Sequence, residues 1–318
     1  MQNNNVLQEI NELRKKRRAI ILAHNYQPGP IQDLADLTGD SLELSRKAKD
    51  TDADVIVFCG VRFMAETAAI LNPQKIVLLP DLEAGCPMAD MITAEDVKRI
   101  KEQFPGIPII TYVNSNADVK AESTICCTSA NSINVVNSFE EASEVYMAPD
   151  QNLAKYTAKH TEKKVHHWNG FCPIHHNLKV EYVHEARKKY PDAVFIAHPE
   201  CKPEVLDLAD GVFSTSGMIN YVSESEETFF IIGTEMGLIH TLKKNNHHKT
   251  FVPLHESLVC KDMKKITLEK ILYSLKNLTP RITVPEPIRQ KAQQALDRML
   301  TIKVASGDYR SFSSKLWS

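Results

Sequence analysis

Three of the seven cysteines fall at nearly equal steps: Cys86 to Cys172 is 86 residues and Cys172 to Cys260 is 88. Three apolar runs that end in polar residues keep the same step. They are IILAHNY (20–26), IITYVN (109–114) and VFIAHPE (194–200), so His24 to Tyr112 is 88 residues and Tyr112 to His198 is 86. Ser41, Ser129 and Thr215 follow His24, Tyr112 and His198 by 17 residues each. Three series in register point to a threefold internal repeat. No two cysteines form a C-x-x-C pair. Zinc ribbons and ferredoxin-type runs are therefore excluded, and a metal site must gather thiolates from distant parts of the chain. Three thiolates suit an iron–sulfur cluster in which one iron lacks a protein ligand and can act as a Lewis acid on a substrate oxygen. A zinc ion held by the same cysteines and by His175, three residues after Cys172, is the alternative. Cys59, Cys126, Cys127 and Cys201 stand outside the series and are assigned to packing, Cys201 beside the cleft.

The surrounding elements repeat as well. DVIVFCG (54–60), EVYMAP (144–149) and TFFIIG (228–233) read as buried strands, each followed by a helical stretch. A fourth strand follows at KIVLLP (75–80), KVHHW (164–168) and TFVPL (250–254), then the cysteine, then another helix. Thr93 and Thr267 stand where N-caps belong, and Thr93 with Asp96 has the form of a capping box. Alternating strands and helices predict an α/β protein: three pseudo-threefold-related domains, each a small parallel sheet flanked by helices, around a central active site. The expected boundaries are 18–104, preceded by an N-terminal helix 1–17, then 105–190 and 191–276, with a C-terminal helical appendage over 277–318. Ligands of parallel α/β sheets bind at the carboxyl ends of the strands. His24, Tyr112 and His198 are expected there, with Tyr26, Asn114 and Glu200 two residues further on and pointing the same way. Ser41, Ser129 and Thr215 are expected to open the next helices, where unpaired N–H groups and the helix dipole attract anions.

Composition narrows the function classes. The 318 residues are 43% apolar and 25% charged, with a formal net charge of −2. That balance argues against a nucleic-acid partner, which calls for a dense basic face. No apolar run approaches the roughly 18 residues of a membrane helix. The N-terminal stretch lacks the apolar core of a secretory signal, and an odd number of cysteines does not suggest a disulfide framework. The expected setting is therefore a reducing compartment, the cytoplasm.

AHNYQ (23–27), TGDS (38–41), CGVRFMAET (59–67), LPDLEAGCPMAD (79–90), TYVNS (111–115), GFCPIH (170–175), HPEC (198–201), STSGM (214–218), IGTEMGL (232–238) and CKDMKKITLEKI (260–271) together resemble the quinolinate synthase family. The resemblance spans roughly residues 19–277. It implies a transferase of de novo NAD biosynthesis that condenses iminoaspartate with dihydroxyacetone phosphate to quinolinate, phosphate and water. It implies a 4Fe-4S cluster on Cys86, Cys172 and Cys260. It sets His24, Ser41, Tyr112, Asn114, Ser129, His198, Glu200 and Thr215 among substrate-binding positions. It also brings Tyr26, Glu200 and His175 forward as catalytic residues, the first two in acid/base roles. A transient contact with L-aspartate oxidase, the source of the unstable imine, belongs to the same expectation. Two features depart from some relatives. Lys261 and Asp262 follow Cys260, so no accessory cysteine pair forms there, and no family motif is found from about 278 onward. A cluster-dependent hydro-lyase acting on another small carboxylate and a non-catalytic iron–sulfur sensor are the rival readings.

Overall fold

The computed structural model of the chain describes residues 2–302; the part of the expected C-terminal appendage from residue 303 on lies outside them. Twelve strands form three four-stranded sheets, and every strand pairing within them is parallel. The first sheet contains β1 (Ala19–His24), β2 (Leu37–Gly39), β3 (Val55–Cys59) and β4 (Ile76–Leu78). The second contains β5 (Ile109–Tyr112), β6 (Ile125–Cys127), β7 (Glu144–Ala148) and β8 (Lys164–His167). The third contains β9 (Val194–Ala197), β10 (Gly211–Val212), β11 (Phe229–Gly233) and β12 (Thr250–Pro253). All three share one order: the second strand of the unit lies outside the first, then the third and fourth follow on the other side.

This is the α/β architecture that the repeat predicts, and its physical basis is burial on both faces. β3 reads VIVFC with every residue buried, and the inner parts of β1, β5 and β9 are buried likewise. A parallel sheet hidden on both sides needs such continuous apolar runs. The edge strands β2, β6 and β10 span two or three residues, too short to register as apolar runs in the sequence. Helix starts follow side-chain capping. Thr93 accepts from the Asp96 N–H while Asp96 returns a bond to the Thr93 N–H, and Thr267 caps the helix Leu268–Asn277.

The ends of the chain tie the units together. The N-terminal helix Gln2–Lys16 packs on the helix Leu268–Asn277, joining the first and third units. Arg281 forms an antiparallel bridge with Leu78 of β4. The helix Glu286–Thr301 then lies across the helices Ala117–Ala121 and Arg62–Leu71 and strand β6, burying Ala292, Ala295, Leu296 and Met299 between the first and second units. Truncating a fully buried leucine leaves a cavity and typically costs about 2–5 kcal/mol. Leu296→Ala should therefore lower the unfolding free energy by about that amount in a urea titration. A loss below ~1 kcal/mol would show that this helix does not bear on the core.

Candidate active site

The carboxyl ends of the three sheets open onto one cavity of about 270 Å³. His24, Tyr112 and His198 line it from the ends of the first strands, and Tyr26, Asn114 and Glu200 line it two residues later. Ser41, Ser129 and Thr215 form part of its wall, as do Cys86, Cys172, Cys260 and His175. Every residue singled out by spacing or motif therefore reaches one space. Cys201 does not: it is buried beneath, with its sulfur 3.6 Å from the Gly233 carbonyl oxygen.

The three cysteines occupy equivalent loops, after β4, β8 and β12 and just before a short helical turn. Each sulfur accepts a backbone N–H from the residue three positions on, Ala89, His175 or Met263. All three thiols are free and partly open to the cavity, whereas Cys59, Cys126, Cys127 and Cys201 are buried. Burial pushes the Cys86 thiol up to about 12, with Cys260 adding to the shift, and pushes Cys172 well up, with Glu200 and Cys86 adding to it. Such thiols keep their protons unless a cation displaces them, as a coordinated metal does. The donor set fits three soft thiolate bonds, each already supported by a backbone N–H.

His175 is engaged elsewhere. Its Nδ1 lies 2.7 Å from Glu200 Oε2 and 3.2 Å from Cys172 Sγ, and its Nε2 lies 2.9 Å from Thr234 Oγ1. Cys172, His175 and Glu200 thus bring donor atoms within 4.8 Å of one another. Both ring nitrogens are already in hydrogen bonds, which argues against His175 as a fourth zinc ligand. With Nδ1–H donating to Glu200, the Thr234 hydroxyl donates to Nε2, and the Tyr26 hydroxyl, 2.5 Å away, donates to Thr234. Phenol, hydroxyl, imidazole and carboxylate form one chain, the inner part of which has the order of acyl-transfer triads.

The charges along this chain are set by its surroundings. Burial pushes Glu200 up, but the imidazoles of His198 and His175 and hydrogen bonds from His175 and Tyr112 bring it down to about 2. Burial, with Glu200 adding to it, drives Tyr26 and Tyr112 well above the ordinary phenol range. Both phenols therefore carry their protons. Burial holds His24 and His198 down at about 3. His24 Nδ1 accepts the Tyr26 N–H at 3.1 Å, and His198 Nδ1 accepts the Glu200 N–H at 3.4 Å. That fixes the tautomer and leaves each Nε2–H as a neutral donor. Asn114 Oδ1 is buried and has no partner among the described residues, which adds a free acceptor to the wall.

One expectation needs correction. Ser41 and Thr215 are the first residues of their helices, but the caps are their neighbours Asp40 and Ser214, and Ser129 stands in a turn ahead of the helix Ser132–Asn137. Asp40 Oδ1 takes the N–H groups of Leu42 and Glu43 at 2.9 and 3.0 Å. A carboxylate of the chain itself thus occupies that helix N-terminus. The dipole at this point is therefore already met by a negative group of the chain itself.

The family model described as "Quinolinate synthetase A protein" matches residues 8–301. The chain belongs to the quinolinate synthase family. It is 53% identical over 302 residues to the quinolinate synthase of Geotalea uraniireducens, covering 95% of this chain and 99% of that one. It is 53% identical over 304 residues to quinolinate synthase 1 of Methanosarcina acetivorans, covering 96% and 100%. The Thermodesulfovibrio yellowstonii quinolinate synthase is 53% identical over 300 residues, covering 94% of this chain and 99% of that one.

Within this member of the quinolinate synthase family, two groups escape a reading by spacing: Asp40 in the cavity wall, and Thr234, buried behind Tyr26 and His175. Thr234 lies inside the IGTEMGL motif, one residue past β11, where the other units carry Gly60 and Pro149. Its only sequence signal is that it follows a buried strand end. Asp40 lies inside TGDS beside the serine that the spacing selects.

The histidine environment fixes a pH dependence. His24 moves from 6.5 in the unfolded chain to about 3 in the fold. Between these values the unfolded chain binds more protons, so stability falls as pH falls. The slope is about 1.4 kcal/mol per pH unit for one histidine. In the cluster-free protein, His24→Gln should lose about 2–3 kcal/mol less than the parent between about pH 6 and about pH 4, read from urea midpoints. Identical pH dependence in the two proteins would contradict the buried, neutral assignment.

Proposed function

We propose that the chain is a quinolinate synthase of NAD biosynthesis that condenses iminoaspartate with dihydroxyacetone phosphate to give quinolinate, phosphate and water. Cys86, Cys172 and Cys260 would hold a 4Fe-4S cluster. The observation that carries this reading is the meeting, in one cavity, of three free thiols from three units with Tyr26, His175 and Glu200, which Thr234 links from behind the wall. The seven free cysteines suit the reducing cytoplasm that such a cluster needs. The imine is short-lived in water, so its supply by an aspartate-oxidising enzyme belongs to the same proposal.

When bound, the cluster supplies a Lewis-acidic iron for a substrate hydroxyl or carboxylate. The chain's residues do the rest. The hydroxyls of Ser41, Ser129 and Thr215 and the Nε2–H groups of His24 and His198 orient the phosphate and carboxylates, and Asn114 Oδ1 receives a substrate hydroxyl or amine. Phosphate leaves first and carbon–carbon bond formation follows. Each later dehydration needs a proton removed from carbon and another delivered to a departing hydroxyl. Glu200, ionised and backed by His175, removes the first. Tyr26, which keeps its proton, delivers the second. Thr234 joins the two ends and holds the Tyr26 phenol in line with the His175 ring; the proton taken by Glu200 leaves, and Tyr26 is recharged, through solvent when the product departs.

Thr234→Val keeps the volume and removes the link. It should lower kcat by about 10²–10⁴-fold while iron content and the KM for dihydroxyacetone phosphate stay within a few-fold of the parent. A kcat within about threefold of the parent would show that Thr234 does not position Tyr26 and His175 for proton transfer. Cys172→Ala should abolish both the cluster and the product, and turnover without iron would overturn the reading.

A further inference from the structure

Two residues beyond the third strand of each sheet stand Val61, Asp150 and Glu235, after β3, β7 and β11 respectively. They are equivalent in position and unlike in chemistry. Asp150 Oδ2 accepts the backbone N–H of Cys172 at 3.1 Å, and Glu235 Oε1 accepts the backbone N–H of Cys260 at 3.0 Å. Asp150 is 2% exposed and Glu235 0%. Val61 has nothing to offer the loop of Cys86. There the backbone serves instead, with the Arg62 N–H donating to the Ala84 carbonyl at 2.8 Å and the Gly85 N–H to the Glu83 carbonyl at 2.8 Å.

Each carboxylate is fixed from a second side. Asp150 Oδ1 caps the helix Gln151–Ala158 through the Leu153 N–H at 2.7 Å. Glu235 Oε2 receives the Gly237 N–H at 2.7 Å, and Lys264 Nζ lies 2.9 Å from Oε1. Gly237 must be glycine, because a Cβ there would stand 2.7 Å from the Tyr26 carbonyl oxygen and 2.8 Å from both Glu235 Oε2 and Lys264 Nζ. Burying a carboxylate beside three sulfurs that become anionic on binding metal is unfavourable. The two are retained where each bonds directly to the residue that carries a sulfur.

We propose that Asp150 and Glu235 are positioning residues that clamp two of the three metal-binding loops by their cysteine N–H groups. This rests on the cluster reading above. Partners of this kind orient metal ligands, and their loss typically costs about 10–100-fold in metal affinity or activity. The third loop, at Cys86, has no such clamp.

The test uses the full-length, anaerobically loaded protein. Asp150→Ser keeps a capping oxygen for the helix but is too short to reach Cys172 as well. Glu235→Gln keeps the shape and sets an amide NH₂ against one of the two N–H donors. Asp210→Asn is the control, since Asp210 accepts the Phe195 N–H at 2.8 Å outside the cavity. The readouts are iron release to excess chelator and the electron paramagnetic resonance spectrum of the reduced cluster, with the melting temperature of the cluster-free form as a folding check. Asp150→Ser and Glu235→Gln should release iron at least ~10-fold faster than the parent, with altered spectra, and Asp210→Asn should match the parent. If one variant does not fold, the other decides. Release at the parental rate from a folded variant overturns the proposal while leaving the cluster reading intact. A parent that takes up no iron overturns both.

Discussion

Glu200 is a carboxylate only 3% exposed, and a charge so buried persists only if the protein supplies partners in place of bulk water. His175 and Tyr112 donate to it, and Asn152 from the second unit donates to its carbonyl oxygen at 2.9 Å. The same burial that endangers this charge keeps Tyr26 and Tyr112 protonated and His24 and His198 neutral. A single condition, burial at the meeting point of three sheets, thus prepares an ionised base, protonated acids and neutral donors around one cavity. The thiols fall under it too. They stay neutral until a metal takes their protons, which couples filling of the site to the metal itself.

The fold enforces that burial through its parallel sheets. A parallel sheet collects all its carboxyl ends on one edge, and three such edges turned inward close the cavity from three sides. Contacts between units fix the closure. Asn25 Nδ2 of the first unit reaches Thr215 Oγ1 of the third at 3.3 Å, and Gln32 Nε2 reaches the Gly237 carbonyl at 2.9 Å. The C-terminal helix seals the seam between the first and second units with its apolar face. No helix among the described residues is long and apolar enough to cross a membrane.

Much of this was legible in the sequence because the repeat placed like positions at like steps. His24, Tyr112 and His198 could be set at strand ends from the apolar runs alone, and the cysteines converge as their spacing predicts. What could not be read depends on contacts across units or on departures from threefold symmetry. Thr234 matters because His175 of another unit lies 2.9 Å away, and no local pattern encodes that distance. Asp40 replaces an open helix N-terminus with a side-chain cap, a choice invisible to the 17-residue step that selects Ser41. The edge strands β2, β6 and β10 escaped because two or three residues without a flanking apolar run carry no periodicity, whereas the opposite edges β4, β8 and β12 were read from theirs. The C-terminal helix had a legible helical stretch, but its burial depends on surfaces more than a hundred residues earlier in the chain.

The most direct measurement is quinolinate formation by the anaerobically reconstituted protein, with iron and sulfide content verified and iminoaspartate generated in place. Chromatography would follow the product with and without dihydroxyacetone phosphate. Quinolinate is expected only when both substrates and the cluster are present. No quinolinate from a protein with a verified cluster would contradict that expectation.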